Sequence, residues 1–147
     1  MKNKIIIAIL LTLISIYTIK LTETNNIQTK AIVKEKAKKV TKKYKLTHYG
    51  WDCKGCGGRT ATGYNVRKTI YYKDKKYGKV RIIATNKDIP LYSIVKIENY
   101  KYGSIIAIVL DRGVGKGVID LLVKNEKVAN KYGIQKGVKI KILRYGK

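Results

Sequence analysis

Ile105–Val123 reads IIAIVLDRGVGKGVIDLLV and is the most informative segment of the chain. Two apolar runs flank a glycine-rich loop, and their β-branched residues predict two strands. Asp111 ends the first run and Asp120 lies inside the second. Carboxylates are seldom buried without a partner, and the chain has nine acidic residues in all. Two of them in this stretch therefore indicate a functional site.

Short strand patterns continue on both sides of this stretch. A short helix is predicted after Asn125, which is a suitable N-cap, and it is expected to end at Gly133. Many short strands, one helix and glycine-rich loops predict a mainly all-β protein built as a small barrel, because closure removes exposed strand edges. The predicted strands are Leu46–Tyr49, Thr69–Tyr72, Val80–Thr85, Ile94–Ile97, Ser104–Leu110, Val118–Val123 and Val138–Leu143.

The N-terminal residues 1–21 are predicted to direct export. Lys2 and Lys4 precede the uncharged run Ile5–Ile19, which suits a secretory signal better than a membrane span of roughly 20 apolar residues. No Ala-x-Ala-like cleavage site follows, so a signal peptide and an uncleaved signal anchor both stay open. Residues 22–43 are lysine-rich and predict a solvated stalk, and the folded domain is expected at 44–147. The domain is thus expected outside the cell, in the wall or anchored on the outer face of the membrane.

The charge balance predicts a polyanionic partner. The formal net charge is +24, from 33 basic and 9 acidic residues. Such a balance suits nucleic acid, anionic lipid or the phosphate- and carboxylate-rich polymers of a cell wall. Because the N-terminus predicts export, we expect peptidoglycan and anionic cell-wall polymers as partners, with membrane anchoring through the N-terminal segment as an option. Nucleic acid is disfavoured, since no nucleic-acid-binding motif is present.

Two cysteines, Cys53 and Cys56, are spaced CxxC. A thioredoxin-like motif follows a strand and opens a helix, whereas glycines surround this pair and predict a loop. Outside the cell a disulfide that staples the loop is the first interpretation, and free thiols are the second. A metal site, which would recruit His48 and Asp52, is the third. We expect neither a metal nor a cofactor.

Six short motifs follow one another between Tyr44 and Lys147: Thr60–Gly63 (TATG), Ile82–Ala84 (IIA), Ile89–Leu91 (IPL), Ala107–Gly113 (AIVLDRG), Lys116–Gly117 and Ile119–Leu121 (IDL). In their order and spacing they resemble the three-aspartate (3D) domain of bacterial cell-wall proteins. Relatives of that family include the stationary-phase survival proteins of Gram-positive bacteria and the barrel of membrane-bound lytic transglycosylase A. The resemblance implies a six-stranded double-psi β-barrel. DRG followed by IDL also resembles the barrel of rare lipoprotein A and the expansins.

The resemblance also implies the site residues. Asp120 and Asp111 correspond to two of the three aspartates, while Asn86 stands four residues before Pro90, where the family has its first. Arg112–Val114 replaces the Thr-Gly-Gly that usually follows the second aspartate. Glycan contacts are expected from Thr60, Thr62 and Gly63, or else the two hydroxyls bond within their own loop. Tyr49 is expected to stack on a sugar ring or to cap the end of the barrel.

Strand alternation gives Asp120 an apolar setting. Val118, Asp120 and Leu122 share one face of their strand. Desolvation there would raise the pKa of the Asp120 carboxyl, which suits a proton donor to a glycosidic oxygen. The alternative is a structural aspartate that accepts backbone N–H bonds. Asp111 precedes a turn, so it caps backbone N–H groups, supports Asp120, or does both.

The implied activity is that of a peptidoglycan lytic transglycosylase. In that reaction the C6 hydroxyl of muramic acid attacks the anomeric carbon and a 1,6-anhydro product forms. One carboxyl serves as acid and then as base, whereas hydrolytic glycosidases use two. Because Asn86 replaces one aspartate, the alternative is a non-catalytic glycan-binding module of the same fold that remodels the wall.

Overall fold

The computed structural model describes Lys20 and residues 42–146, and the latter lie in the compact unit Thr41–Lys147. The predicted export segment 1–21 and stalk 22–43 fall almost entirely outside the described residues. No helix within the described part is long and apolar enough to cross a membrane. The elements are β1 (Lys43–Gly50), β2 (Tyr71–Asp74), β3 (Gly78–Thr85), β4 (Ile94–Ile97), β5 (Ile105–Asp111), β6 (Val118–Val123), α1 (Glu126–Tyr132) and β7 (Gln135–Arg144).

Six of these strands close into a barrel. The hydrogen-bonded order is β3-β5-β4-β7-β1-β6, and β6 pairs back onto β3, while β2 extends the sheet from β3 as a hairpin. Two neighbouring pairs, β1 with β6 and β3 with β5, are parallel. The mainly β class, the closed six-stranded barrel and the single short helix of the described residues confirm the prediction. The ring is consistent with a double-psi barrel.

Aliphatic side chains from all six ring strands fill the interior of the barrel. We call this set the interior cluster, and Leu46, Ile83, Val109 and Leu121 in it are completely buried. Alternation along each strand sends the intervening apolar residues outward. Tyr44, Leu46, Ile83, Ile89, Val95, Ile97, Tyr100, Ala107, Val109, Ile119, Leu121, Val138 and Ile140 form the interior cluster.

A second set, the outer cluster, lies on the outside of the barrel. Residues 51–77 leave the ring and return as β2, and Val66, Trp51 and Tyr64 from this excursion pack against the outward side chains of the ring strands. The aromatic side chains stay partly exposed, so the cover is incomplete. Val66, Val80, Ile82, Ile94, Ile108, Leu110 and Leu122 are its buried members.

Most predicted elements are confirmed, although β1 and β7 each begin three residues earlier than predicted, at Lys43 and Gln135. Ile94–Ile97 and Val118–Val123 are strands as predicted, and Asn125 caps α1 by accepting from the Val128 amide, with Gly133 after its end. The strand predicted at Thr69–Tyr72 instead begins at Tyr71. The Thr69 hydroxyl bonds both the amide and the carbonyl of Tyr71, which holds the chain in a local turn before the strand.

Candidate functional site

The two aspartates lie in one row across neighbouring strands. Asp111 on β5 pairs with Ala84 on β3, Ala84 pairs with Asp120 on β6, and Asp120 pairs with Thr47 on β1. Adjacent strands are about 4.8 Å apart, so the two aspartate backbones are separated by roughly 10 Å. The row lies beside Leu122, at the edge of the outer cluster. The predicted pair of carboxylates is therefore brought to one region of the outer barrel surface.

Asp120 is a half-buried carboxyl with a neutral partner. The Thr47 hydroxyl donates a hydrogen bond of 2.7 Å to Asp120 Oδ1. Burial raises the pKa of Asp120 above its ordinary value, and the Thr47 hydrogen bond opposes this. The charges of Glu126 and Asp111 raise the pKa further. The expected upward shift, with desolvation as its first cause, is confirmed.

Asp111 is held by three donors. Its Oδ2 accepts from the Tyr49 hydroxyl at 2.9 Å, and its Oδ1 accepts from the amides of Ala61 and Arg112 at 2.9 and 2.8 Å. Burial, followed by the charge of Asp111, raises the pKa of Tyr49 far above its ordinary value, so this phenol remains a donor. Asp111 thus both caps its turn and ties β1 to the TATG loop.

The TATG loop is closed largely by its own hydrogen bonds. The Thr60 hydroxyl lies 2.9 Å from that of Thr62 and accepts from the Tyr64 amide at 3.1 Å, and Thr60 is buried. The Thr62 amide donates to the Leu110 carbonyl at 3.2 Å, which fixes the loop beside the end of β5. Gly63 has φ of +80° and open space around it, and both Gly63 and Ala61 are exposed.

Asn86 lies beyond the end of β3 and is not hydrogen-bonded to Asp111 or Asp120. Its Oδ1 accepts from the Asp88 amide at 3.3 Å, while its carbonyl accepts from Arg112 Nη1 at 3.1 Å. The same Arg112 nitrogen donates to the Thr85 hydroxyl at 2.9 Å. Arg112 therefore connects the residue after Asp111 to the Asn86 segment.

The cysteines and His48 belong to local structure. Cys53 is joined to Cys56 in a disulfide, and Asp52 accepts from the Glu126 amide at 2.8 Å. His48 lies between the Gly133 carbonyl and the Tyr100 hydroxyl, each 2.8 Å from a ring nitrogen. Within residues 42–146 no group of three or more His, Cys, Asp or Glu side chains is placed to hold a metal ion.

Sequence reasoning missed Thr47 and Arg112 as parts of the site. Thr47 reaches Asp120 because β1 and β6 pair in parallel, and no local pattern reveals a pairing over 73 positions. Arg112 was noted as a departure from Thr-Gly-Gly, although a cation beside an aspartate in a turn was the available signal. The amide of Ala61 contacts Asp111, and a backbone donor leaves no mark in the sequence.

The described residues define a mainly β protein with a carboxyl pair on the outside of a closed six-stranded barrel. No family model matches the chain. Over 117 residues it is 38% identical to "SPbeta prophage-derived uncharacterized protein YorM" of Bacillus subtilis strain 168. It is also 37% identical over 100 residues to "Putative cell wall shaping protein YabE" of the same organism. These alignments cover 76% and 66% of this chain, but the chain spans 46% and 21% of the two relatives.

Proposed function

We propose that this chain is an exported, 3D-type peptidoglycan lytic transglycosylase in which Asp120 is the general acid and base. The observation that carries the proposal is the half-buried Asp120 carboxyl, whose pKa burial raises. A carboxyl that keeps its proton nearer to neutral pH is what the departure of a glycosidic oxygen requires. The resemblance to the family and the wall-related name of one relative support the same assignment.

The reaction needs one carboxyl and no added water. Protonated Asp120 donates its proton to the oxygen that links muramic acid to the next sugar, and the C1–O bond breaks as the oxygen leaves as a hydroxyl. The C6 hydroxyl of the same muramic acid then bonds to C1, and Asp120, now a carboxylate, takes the C6 hydroxyl proton. The products are a 1,6-anhydro sugar end and a free hydroxyl end, and Asp120 is again protonated.

The neighbours of Asp120 suit this cycle. Asp111 accepts three hydrogen bonds that fix its position, and its charge is one of the causes that raise the pKa of Asp120. Thr47 holds Asp120 Oδ1 in place and leaves Oδ2 as the oxygen that carries the proton. In this proposal Gly63 and Tyr49 border the glycan, with Thr60, Thr62 and Asn86 shaping the rim.

The second candidate is a non-catalytic module that binds glycan and remodels the wall. One observation favours it: Asn86 stands at the first aspartate position, and its side chain is bonded to the Asp88 amide instead of the carboxyl pair. If the family's chemistry needs that charge, this chain binds without cleaving. Both candidates place the protein at the outer face of the cell, in the wall or anchored there, and neither requires nucleic acid.

Product analysis separates the two candidates. The purified full-length chain is incubated with peptidoglycan, and the soluble products are identified by mass spectrometry. We expect 1,6-anhydro-muropeptides from the wild type and none above background from Asp120→Asn. Asp88→Asn is the matched control, because Asp88 is an exposed aspartate that pairs with Lys42, and it should retain activity. Absence of products from all three proteins, with each still sedimenting with the wall, would reject the enzyme and leave the binding module.

A further inference from the structure

A basic cavity lies on the outer face of the barrel, beyond the carboxyl ends of the parallel strands β1 and β6. Its volume is about 670 Å³, within the range of small-ligand sites. The rings of Trp51 and Tyr71 line it together with part of the segment that leads into β2. None of the residues assigned to the carboxyl site lines this cavity, so the cavity is a separate candidate binding site.

The cavity concentrates unbalanced positive charge. Four cations line it, against one carboxylate, Asp52, whose Oδ1 already accepts from the Glu126 amide. The ion pairs found among residues 42–146 are Lys42–Asp88 and Arg144–Asp74, and neither includes a cation of the cavity. The four are Arg67, Lys68, Lys79 and Lys124.

Two of these cations are positioned by their surroundings. Arg67 donates from Nη2 to the Gly57 carbonyl at 3.0 Å, and its guanidinium lies 6.0 Å from the centre of the Trp51 ring. A side chain at Gly58 would overlap Arg67, so glycine lets the backbone press against the arginine. Lys79 Nζ lies 4.2 Å from the centre of the Tyr71 ring. Two cations held against aromatic rings leave further N–H donors for an anion.

The cavity lies on the same face as the candidate acid. Asp120 and Leu122 point outward from β6, and Lys124 follows two residues later. Lys124 lies just after the end of β6 and four residues beyond Asp120, so the two Cα atoms are at most roughly 14 Å apart. A polymer lying along this face would therefore reach both places.

We propose that this cavity binds a phosphodiester group of an anionic polymer whose backbone is a polyol or sugar, and so holds the domain on the wall beside its substrate. The choice of the wall polymer as the occupant rests on the proposed function. Two positioned cations and two further lysines match the repeated charge of a phosphodiester chain better than a single carboxylate. The Trp51 and Tyr71 rings offer apolar faces to the C–H groups of the backbone.

The test is calorimetric titration of the full-length chain with a synthetic oligo(glycerol phosphate), at low and at physiological salt. Arg67→Gln with Lys79→Gln should weaken binding by about tenfold or more, since two charge contacts are removed. The control is Lys139→Gln with Lys141→Gln on β7, which lies across the ring from β3 and loses the same charge. It should change the affinity by less than about twofold. If circular dichroism shows the first pair unfolded, Lys68→Gln with Lys124→Gln replaces it, with the same expectation.

Equal weakening by the cavity pair and the control would overturn the proposal, because the charge would then act without a site. A DNA oligonucleotide bound through the cavity more tightly than the glycerol phosphate probe would also overturn it, in favour of nucleic acid. Cleavage of peptidoglycan stripped of phosphate polymers reports the proposed function separately. If the chain binds the probe through the cavity but does not cleave this peptidoglycan, only the proposed enzyme activity is rejected. If it cleaves the peptidoglycan but does not bind the probe through the cavity, only the cavity proposal is rejected.

Discussion

The interior cluster and the outer cluster are both apolar, but they are closed in different ways. Six strands surround the interior on every side, whereas one excursion, residues 51–77, covers the outer cluster and leaves its aromatic rings partly exposed. The carboxyl row and the basic cavity both lie at the edges of the outer cluster. The closed interior cluster thus supports the fold. The outer cluster is incompletely covered, so it gives the candidate site both apolar surroundings and access to solvent.

Adjacent leucines on β6 provide the sharpest test of this difference. Leu121 points into the interior and Leu122 points outward, and both are completely buried. We expect Leu121→Ala to cost about 3–5 kcal/mol, because the closed barrel cannot collapse around the cavity. Chemical denaturation of the two proteins measures the loss. A cost below that of Leu122→Ala would contradict the idea that the interior carries the fold.

Substitution of the outward-pointing Leu122 should cost less stability than that of Leu121 but should affect Asp120 more. We expect Leu122→Ala to cost about 2–3 kcal/mol, since the partly exposed aromatic cover can settle into the space. Water admitted beside Asp120 should also bring the pKa of its carboxyl back toward the ordinary value. Denaturation measures the cost, and an NMR titration of the Asp120 carboxyl carbon measures the pKa. An unchanged pKa of Asp120 would mean that the outer cluster does not cause its desolvation.

Removal of one hydroxyl tests the link between β1 and Asp111. Tyr49→Phe keeps the ring in the outer cluster but deletes the 2.9 Å hydrogen bond to Asp111 Oδ2. We expect a loss of about 1–2 kcal/mol in unfolding free energy. Tyr72→Phe, which alters a tyrosine of the same cluster with no hydrogen bond to Asp111, is the comparison. Equal effects of the two variants would mean that the Tyr49–Asp111 bond contributes nothing specific.

The smallest effect expected is a pH dependence of stability. Because burial raises the pKa of Asp120 in the folded protein, the folded state holds this proton more tightly than the unfolded state. Its contribution to stability is complete below about pH 4 and is lost as pH rises through the folded-state pKa. Asp120→Asn has no such proton, so the variant should gain stability relative to the wild type as pH rises. A constant difference across that range would refute the assigned shift.

Local sequence patterns predicted the elements better than they predicted the site. Val118–Val123 is aliphatic except for Asp120 and contains no glycine or proline, so its bounds were predictable. Asn125 and Gly133 marked α1 for the same local reason. Thr69 and Ile70 also favour a strand, but the Thr69 hydroxyl is hydrogen-bonded to the backbone of Tyr71, and β2 begins only at Tyr71. Whether a side-chain hydrogen bond of this kind replaces strand pairing depends on local geometry, which the sequence pattern does not reveal.

The site combines local and distant information. Successive side chains of one strand point to opposite faces, which is why the apolar setting of Asp120 could be predicted. Its hydrogen bond to Thr47 and the row through Ala84 depend on which strands become neighbours when the ring closes. The apolar run that Asp111 ends had already marked this aspartate, and the resemblance added the TATG loop. The contact between them runs through the Ala61 amide instead of a threonine hydroxyl.

The most direct test of this account is an NMR titration of the Asp120 carboxyl carbon in the full-length chain. We predict a pKa above the ordinary aspartate value of about 3.9, and a further rise in Thr47→Val, because the hydrogen bond that favours the carboxylate is lost. A carboxyl that titrates at or below the ordinary value, and does not respond to Thr47→Val, would contradict the claim that the outer face of this barrel keeps a proton ready for transfer.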